Sequence, residues 1–278
     1  MFYPLMRGEF LDLSGARLYY YAAGTRGAGV PVVFLHGFPT SGHLWGDVVP
    51  LMPAGHRLVV LDLLGYGRSD RPDSRNVDVR SHAERVVELL DELRIQRACI
   101  VGHGVGGGIA QSIAVRFPHR VSHLCLIDSV AFDRWPTLTA RMARASLMVT
   151  QFLPPGVLLG FIRRNLERGY ADPHRAMHSI EQYLRPFLTL EGRDALVAHI
   201  RALTNRETRK LGRQLKKISV PTAILWGEHD PVLPLSVGRE LQSSIAGSSL
   251  EVLPDRRHFT PEEAPRQIAD GIAELLSR

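Results

Sequence analysis

Apolar and polar positions along this chain follow two different periods. Residues 32–35, 58–61 and 99–101 are short, continuous apolar runs, and 121–127 is a further, mostly apolar one. A strand with one wet face would interleave polar residues, so these runs read as strands buried on both faces. Residues 79–93 place Ala83, Val86, Val87, Leu89, Leu90 and Leu93 close to an i, i+3, i+4, i+7 stripe, the pattern of a helix with one buried side. Residues 9–13 and 16–22, around Ser14-Gly15, read as a hairpin; residues 24–29 read as a loop and 44–52 as a short helix. From residue 132 to 218 the rhythm stops: helical patterning continues without a convincing strand, cut by Pro136, Pro154, Pro155, Gly169, Pro173, Pro186 and Gly192. Strands resume at 222–226 and 250–253, and helices at 235–245 and 261–276. This order predicts an α/β fold, a mostly parallel eight-stranded sheet flanked by helices. A helical cap at 132–218 is inserted between core segments 1–131 and 219–278.

Composition sharpens this in two places. A chain of 278 residues, 45% hydrophobic, can bury a substantial core. The net charge of +6 is concentrated in the cap, where residues 133–217 hold 16 Lys and Arg against seven Asp and Glu. These cations sit at helical spacing without interleaved aromatics, the pattern of a solvated basic face and not of a nucleic-acid site. Both cysteines, Cys99 and Cys125, fall in core strands without metal-ligand spacing, so they are expected to be reduced and buried, in a cytoplasmic protein. Residues 1–13 carry Arg7, Glu9 and Asp12 and lack the apolar run of a signal peptide. No stretch approaches the roughly 20 apolar residues of a membrane span. The expected partner is a small-molecule substrate, with no nucleic acid, membrane, metal or organic cofactor, and the chain is expected to be a monomer or homodimer.

The candidate chemistry sits where strands end. Cys99 to Gly108 runs from an apolar strand through Gly102-His103-Gly104-Val105-Gly106 into a helix. This is the layout of a nucleophile elbow, G-x-S-x-G, with Gly104 where the nucleophile belongs. Asp230 follows the strand at 222–226, and His258 follows the strand at 250–253. In an open α/β sheet, ligands bind beyond the carboxyl ends of the strands, so position 104, Asp230 and His258 converge there in the order nucleophile, acid, histidine.

On these residues the chain resembles the α/β-hydrolase fold, and within it the epoxide hydrolase and haloalkane dehalogenase branch. His36-Gly37-Phe38-Pro39 matches that branch's H-G-x-P loop, and Asp62 to Asp70 matches its D-x-x-G-x-G-x-S-D loop. The resemblance implies His258 as general base, Asp230 as the acid that fixes its tautomer, and the N–H groups of Phe38 and Val105 as an oxyanion hole. It also implies His36 and the cap residues Tyr170 and Tyr183 as substrate contacts. Members of that branch carry Asp or Ser at position 104, and glycine there precludes a covalent intermediate.

Three readings follow. In the first, an enzyme uses non-covalent His–Asp acid/base catalysis for hydrolysis, elimination, carbon–carbon cleavage or cyclisation. In the second, a binding protein keeps the pocket without catalysis. In the third, a hydrolase of the epoxide hydrolase, dehalogenase or esterase type is inactivated at position 104. The apolar cap residues Leu147, Met148, Val149, Phe152, Leu153, Leu158, Leu159, Phe161 and Ile162 suggest a largely apolar substrate. Trp45, Trp226 and His103 are expected to be packing residues.

Overall fold

The structure, a computed structural model, describes residues 7–13, 15–24, 29–71, 77–147, 152 and 154–278. Eight strands form one sheet: β1 (Arg7–Leu13), β2 (Ala16–Ala23), β3 (Val32–Leu35), β4 (Leu58–Asp62), β5 (Ala98–His103), β6 (Val121–Ile127), β7 (Thr222–Gly227) and β8 (Ser249–Leu253). Their order across the sheet is β1-β2-β4-β3-β5-β6-β7-β8. β1 and β2 pair antiparallel, as does β2 with β4, and every other pairing is parallel. The apolar runs of β3, β4 and β5 are buried at every position, as expected for strands covered on both faces. Ser14, in the turn of the expected hairpin, and residues 25–28 of the expected loop lie outside the described residues.

Helix α2 (Val105–Arg116) packs on β3, β5 and β6 at the centre of the sheet, and α1 (Val79–Glu92) packs against α2 and the edge strand β1. Ala83, Val86, Leu89 and Leu90 form the buried side of α1, whose first turn is capped by Asp78 accepting from the Ser81 N–H at 2.7 Å. After β6 come α3 (Leu138–Ala145), α4 (Pro155–Glu167), α5 (Pro173–Leu184), α6 (Leu190–Ala202) and α7 (Arg206–Gly212). Among the described residues this insertion contains no strand. After β7 come α8 (Leu235–Ser244), α9 (Thr260–Glu263) and α10 (Pro265–Leu276). No helix among the described residues is long and apolar enough to cross a membrane.

Two expected helices are corrected. Residues 44–52 form two 3₁₀ turns, Gly42–Trp45 and Val49–Leu51, because Pro50 supplies no N–H with which to continue a helix. The helix expected at 261–276 is split into α9 and α10. Ala264, the residue before Pro265, is pushed out of helical geometry to φ −140°.

The strand order places the site. From β3 the chain moves to β4 on one side and then crosses back to β5 on the other, so a crevice opens beyond the ends of β3 and β5. The loops at Gly37–Phe38 and Gly104–Val105 leave the sheet at that point.

Candidate active site

Four glycines shape the turn from β5 into α2, for two different reasons. A Cβ on Gly102 would overlap the Gly106 carbonyl, one on Gly106 the Leu35 carbonyl, and one on Gly107 the Ser129 side chain. Gly102 and Gly106 are glycine because backbones touch there, and Gly107 because the Ser129 side chain packs against it. Gly104 is different: a Cβ there would stand 3.5 Å from Gly37 Cα and 3.8 Å from His258 Nε2, ordinary contact distances. What favours glycine at 104 is its backbone, φ +56° and ψ −120°, which costs roughly 1–3 kcal/mol for a residue with a Cβ. The Gly104 peptide is held in place by β6 and the loop after it: its N–H donates to Ile127 at 3.2 Å and its carbonyl accepts from Val130 at 3.0 Å.

His258 is oriented from several sides. Its Nδ1–H donates to Asp230 Oδ2 at 2.8 Å, its own N–H donates to the Gly169 carbonyl at 2.9 Å, and its carbonyl accepts from His103 Nε2 at 2.8 Å. Asp230 is itself fixed, Oδ1 accepting from the N–H groups of Val232 at 2.7 Å and Leu233 at 2.9 Å. With Nδ1 committed to Asp230, Nε2 is the free ring nitrogen, and it faces the open space over Gly104.

Gly104 and His258 line a cavity of about 420 Å³ together with Phe38, Val105, Trp135, Ile162 and Leu203. Its lining joins strand-end loops to the helical insertion and contains no Asp, Glu, Ser or Cys among the described residues. The one lining hydroxyl, Thr137, caps α3 by accepting from the Ala140 N–H. Phe38 and Val105 line the same cavity, and among the described residues neither main-chain N–H has an acceptor.

The family model of the alpha/beta hydrolase fold matches residues 30–265. The chain belongs to the alpha/beta hydrolase fold family. As a hydrolase-fold protein it is 28% identical over 250 residues to an uncharacterized hydrolase, YugF, of Bacillus subtilis, covering 88% of this chain and 89% of the relative. It is also 28% identical to haloalkane dehalogenase 2 of Mycobacterium tuberculosis, over 98% of this chain and 95% of the relative. The crystal structure of an alpha/beta hydrolase fold protein from Burkholderia ambifaria superimposes with a TM-score of 0.88 at 26% identity, covering 96% and 97% of the two chains.

Within this hydrolase fold, the expected substrate contacts other than the main-chain pair are occupied elsewhere. The hydroxyls of Tyr170 and Tyr183 both donate to Glu262, a buried carboxylate, and neither tyrosine lines the cavity. Burial raises the Glu262 pKa, opposed by hydrogen bonds from Tyr170, Ser179 and Tyr183. His36 accepts from the Leu63 N–H at Nε2 (3.0 Å) and donates from Nδ1 to the Gly37 carbonyl (2.9 Å), tying the loop after β3 to the loop after β4. Burial lowers its pKa to about 4, and it does not line the cavity. His103 packs as expected: burial, then the charge of His258, pushes its pKa well below the usual range. Trp45 and Trp226 are fully buried core residues.

Of the apolar residues expected in a cap, Ile162 lines the cavity; Leu147, Leu158 and Leu159 are buried away from it, and Phe152 and Phe161 are exposed. Met148, Val149 and Leu153 lie outside the described residues.

Asp128 was not visible as a candidate in the sequence. At the end of β6 it accepts from the Gly227 N–H at 2.8 Å and from the Thr260 hydroxyl, so one carboxylate joins β6, β7 and the helix that follows His258. Burial, then the charge of Asp230, pushes its pKa well above the carboxylate range. Its position at a strand end, like that of Asp62 at the end of β4, was the available signal.

Proposed function

We propose that this chain is a non-covalent acid–base enzyme acting on a small, largely apolar organic substrate. The observation that carries this reading is the free Nε2 of His258, facing open space where residue 104 has no side chain. Nε2 takes a proton from a substrate C–H or O–H, or from a water attacking the substrate. Asp230 holds the Nδ1–H and stabilises the imidazolium that results. The N–H groups of Phe38 and Val105 receive the developing enolate or alkoxide oxygen, and the imidazolium returns its proton to the product. Glycine at 104 leaves room for the reacting atom and forms no bond to it. The residues of the insertion act as the cap, closing an apolar wall over this site.

The test is turnover of a panel of apolar esters, epoxides, haloalkanes, β-diketones and enolisable ketones. His258→Ala, with an unchanged melting temperature, should lower turnover about 10²- to 10⁴-fold. Intact mass should show no adduct at any time. Turnover indifferent to His258, or a covalent intermediate in the wild-type chain, overturns the reading. Ligand binding without product across the panel supports a non-catalytic binding protein instead.

A further inference from the structure

Two segments clasp each other beside the site: residues 169–172, between α4 and α5 of the insertion, and residues 257–263, which carry His258 and run into α9. The His258 and Phe259 N–H groups both donate to the Gly169 carbonyl, at 2.9 and 3.3 Å. The Tyr170 ring stacks on Phe259, with centroids 4.3 Å apart and planes 20° from parallel. Glu263 accepts from the N–H groups of Ala171 and Asp172 at Oε1 and from that of Arg257 at Oε2, and Arg257 Nη1 donates to the Tyr170 carbonyl at 3.0 Å. At the buried end of this clasp is Glu262. Its Oε2 accepts from the Tyr170 hydroxyl and its Oε1 from the Tyr183 hydroxyl at 2.9 Å. None of the ion pairs among the described residues uses Glu262.

A carboxylate buried without a paired cation is a costly way to join two elements, and apolar side chains of similar size would seal the same gap. What the carboxylate adds is direction. An apolar contact tolerates sliding, whereas charge-assisted O–H···O bonds hold donor and acceptor at a set distance and angle. We propose that Glu262 is a positioning residue for His258, keeping the insertion in register with the histidine loop so that Nε2 stays over Gly104. The core holds the same loop by other atoms: His103 Nε2 donates to the His258 carbonyl, and the Thr260 hydroxyl donates to Asp128. The His258 peptide is therefore pinned from two sides, its carbonyl to the core and its N–H to the insertion, and Glu262 fixes the insertion's side of that grip. With Nδ1 bonded to Asp230, the ring can be displaced chiefly by movement of its own backbone, which the grip opposes. The catalytic consequence rests on the acid–base reading above; the hold on the loop does not.

The test pairs amide hydrogen exchange with steady-state kinetics on a substrate from the ester, epoxide, haloalkane and ketone panel. Glu262→Gln keeps the size of the side chain and loses its charge and one acceptor. In it the His258 and Phe259 amides should exchange about tenfold faster, while those of β5 and β6 keep their wild-type rates. Its kcat should fall about 10- to 10²-fold with KM within about twofold. Tyr170→Phe and Tyr183→Phe, each removing one hydroxyl and keeping the ring, should move both readouts the same way by less, and they decide the matter if Glu262→Gln does not fold. Arg116→Gln removes a different tie between core and insertion, the Arg116–Glu207 ion pair, and should leave both readouts at their wild-type values. Exchange and kcat unchanged in Glu262→Gln or in both tyrosine variants, faster exchange spread evenly into β5 and β6, or equal effects in Arg116→Gln overturns the proposal. Faster exchange confined to the histidine loop, in a chain whose turnover does not depend on His258, removes the acid–base reading and leaves Glu262 holding the loop. His258-dependent turnover that none of the three variants changes does the opposite.

Discussion

Residue 104 is the most informative place to perturb. Its missing Cβ would meet nothing closer than Gly37 Cα at 3.5 Å and His258 Nε2 at 3.8 Å, so Gly104→Ala pays only for the backbone at φ +56°, roughly 1–3 kcal/mol. At about 2–4 °C per kcal/mol for chains of this size class, melting should fall by roughly 2–12 °C. Gly106→Ala, whose Cβ would overlap the Leu35 carbonyl, should cost more than about 4 kcal/mol and prevent stable folding. Gly104→Ser carries the same backbone cost and places its hydroxyl one bond beyond Cβ, within hydrogen-bonding reach of Nε2, about 2.7–3.1 Å. This variant should react with p-nitrophenyl butyrate in a burst approaching one equivalent and gain the mass of one butyryl group. The wild type should show neither change, and adding His258→Ala should abolish the burst. A folded Gly104→Ser that is never acylated would refute the convergence of position 104, Nε2 and the Phe38 and Val105 N–H groups on one substrate atom. Equal melting losses for Gly104→Ala and Gly106→Ala would refute the steric contrast.

Asp230→Asn keeps the shape of the acid but can no longer enforce the Nδ1–H tautomer of His258, so turnover should fall by about 10²-fold or more while the affinity for a ground-state ligand changes little, read as a kcat-against-KM split. Thr260→Val leaves Asp128 Oδ2 buried without its donor and should cost about 1–3 kcal/mol in denaturant unfolding, whereas Asp128→Asn, which removes a charge already disfavoured by burial and by Asp230, should cost less. His82 is buried and its pKa is lowered by burial from 6.5 to about 3, so as pH falls below 6.5 the unfolded chain takes up a proton that the folded chain refuses. The stability present above pH 6.5 is therefore lost toward acid, and His82→Gln should flatten the pH slope of unfolding by about 1.4 kcal/mol per pH unit between roughly pH 6 and 4. Identical slopes for the two proteins would remove that assignment.

The sequence by itself determined the strands, most of the helices, the insertion and the loops at the strand ends. Those features depend on local period and on backbone rules that act within a few residues: the unbroken burial of Val32–Leu35, the stripe of α1, the glycines around 104. Chain order alone also placed Gly104, Asp230 and His258 beyond three strands of one sheet, β5, β7 and β8. Even Pro50 and Pro265, which end helices expected to run on, act locally and were readable. Side-chain destinations were a different matter. Tyr170 and Tyr183 look like substrate donors until α9 brings Glu262 to them across the fold, and His36 looks like a ligand contact until the Leu63 N–H claims its Nε2. Asp128 carries no local mark beyond its place at a strand end, because the partners that define it lie 99 and 132 residues away. A buried polar group is assigned by whichever donor or acceptor packing delivers to it, and that delivery belongs to the tertiary structure alone.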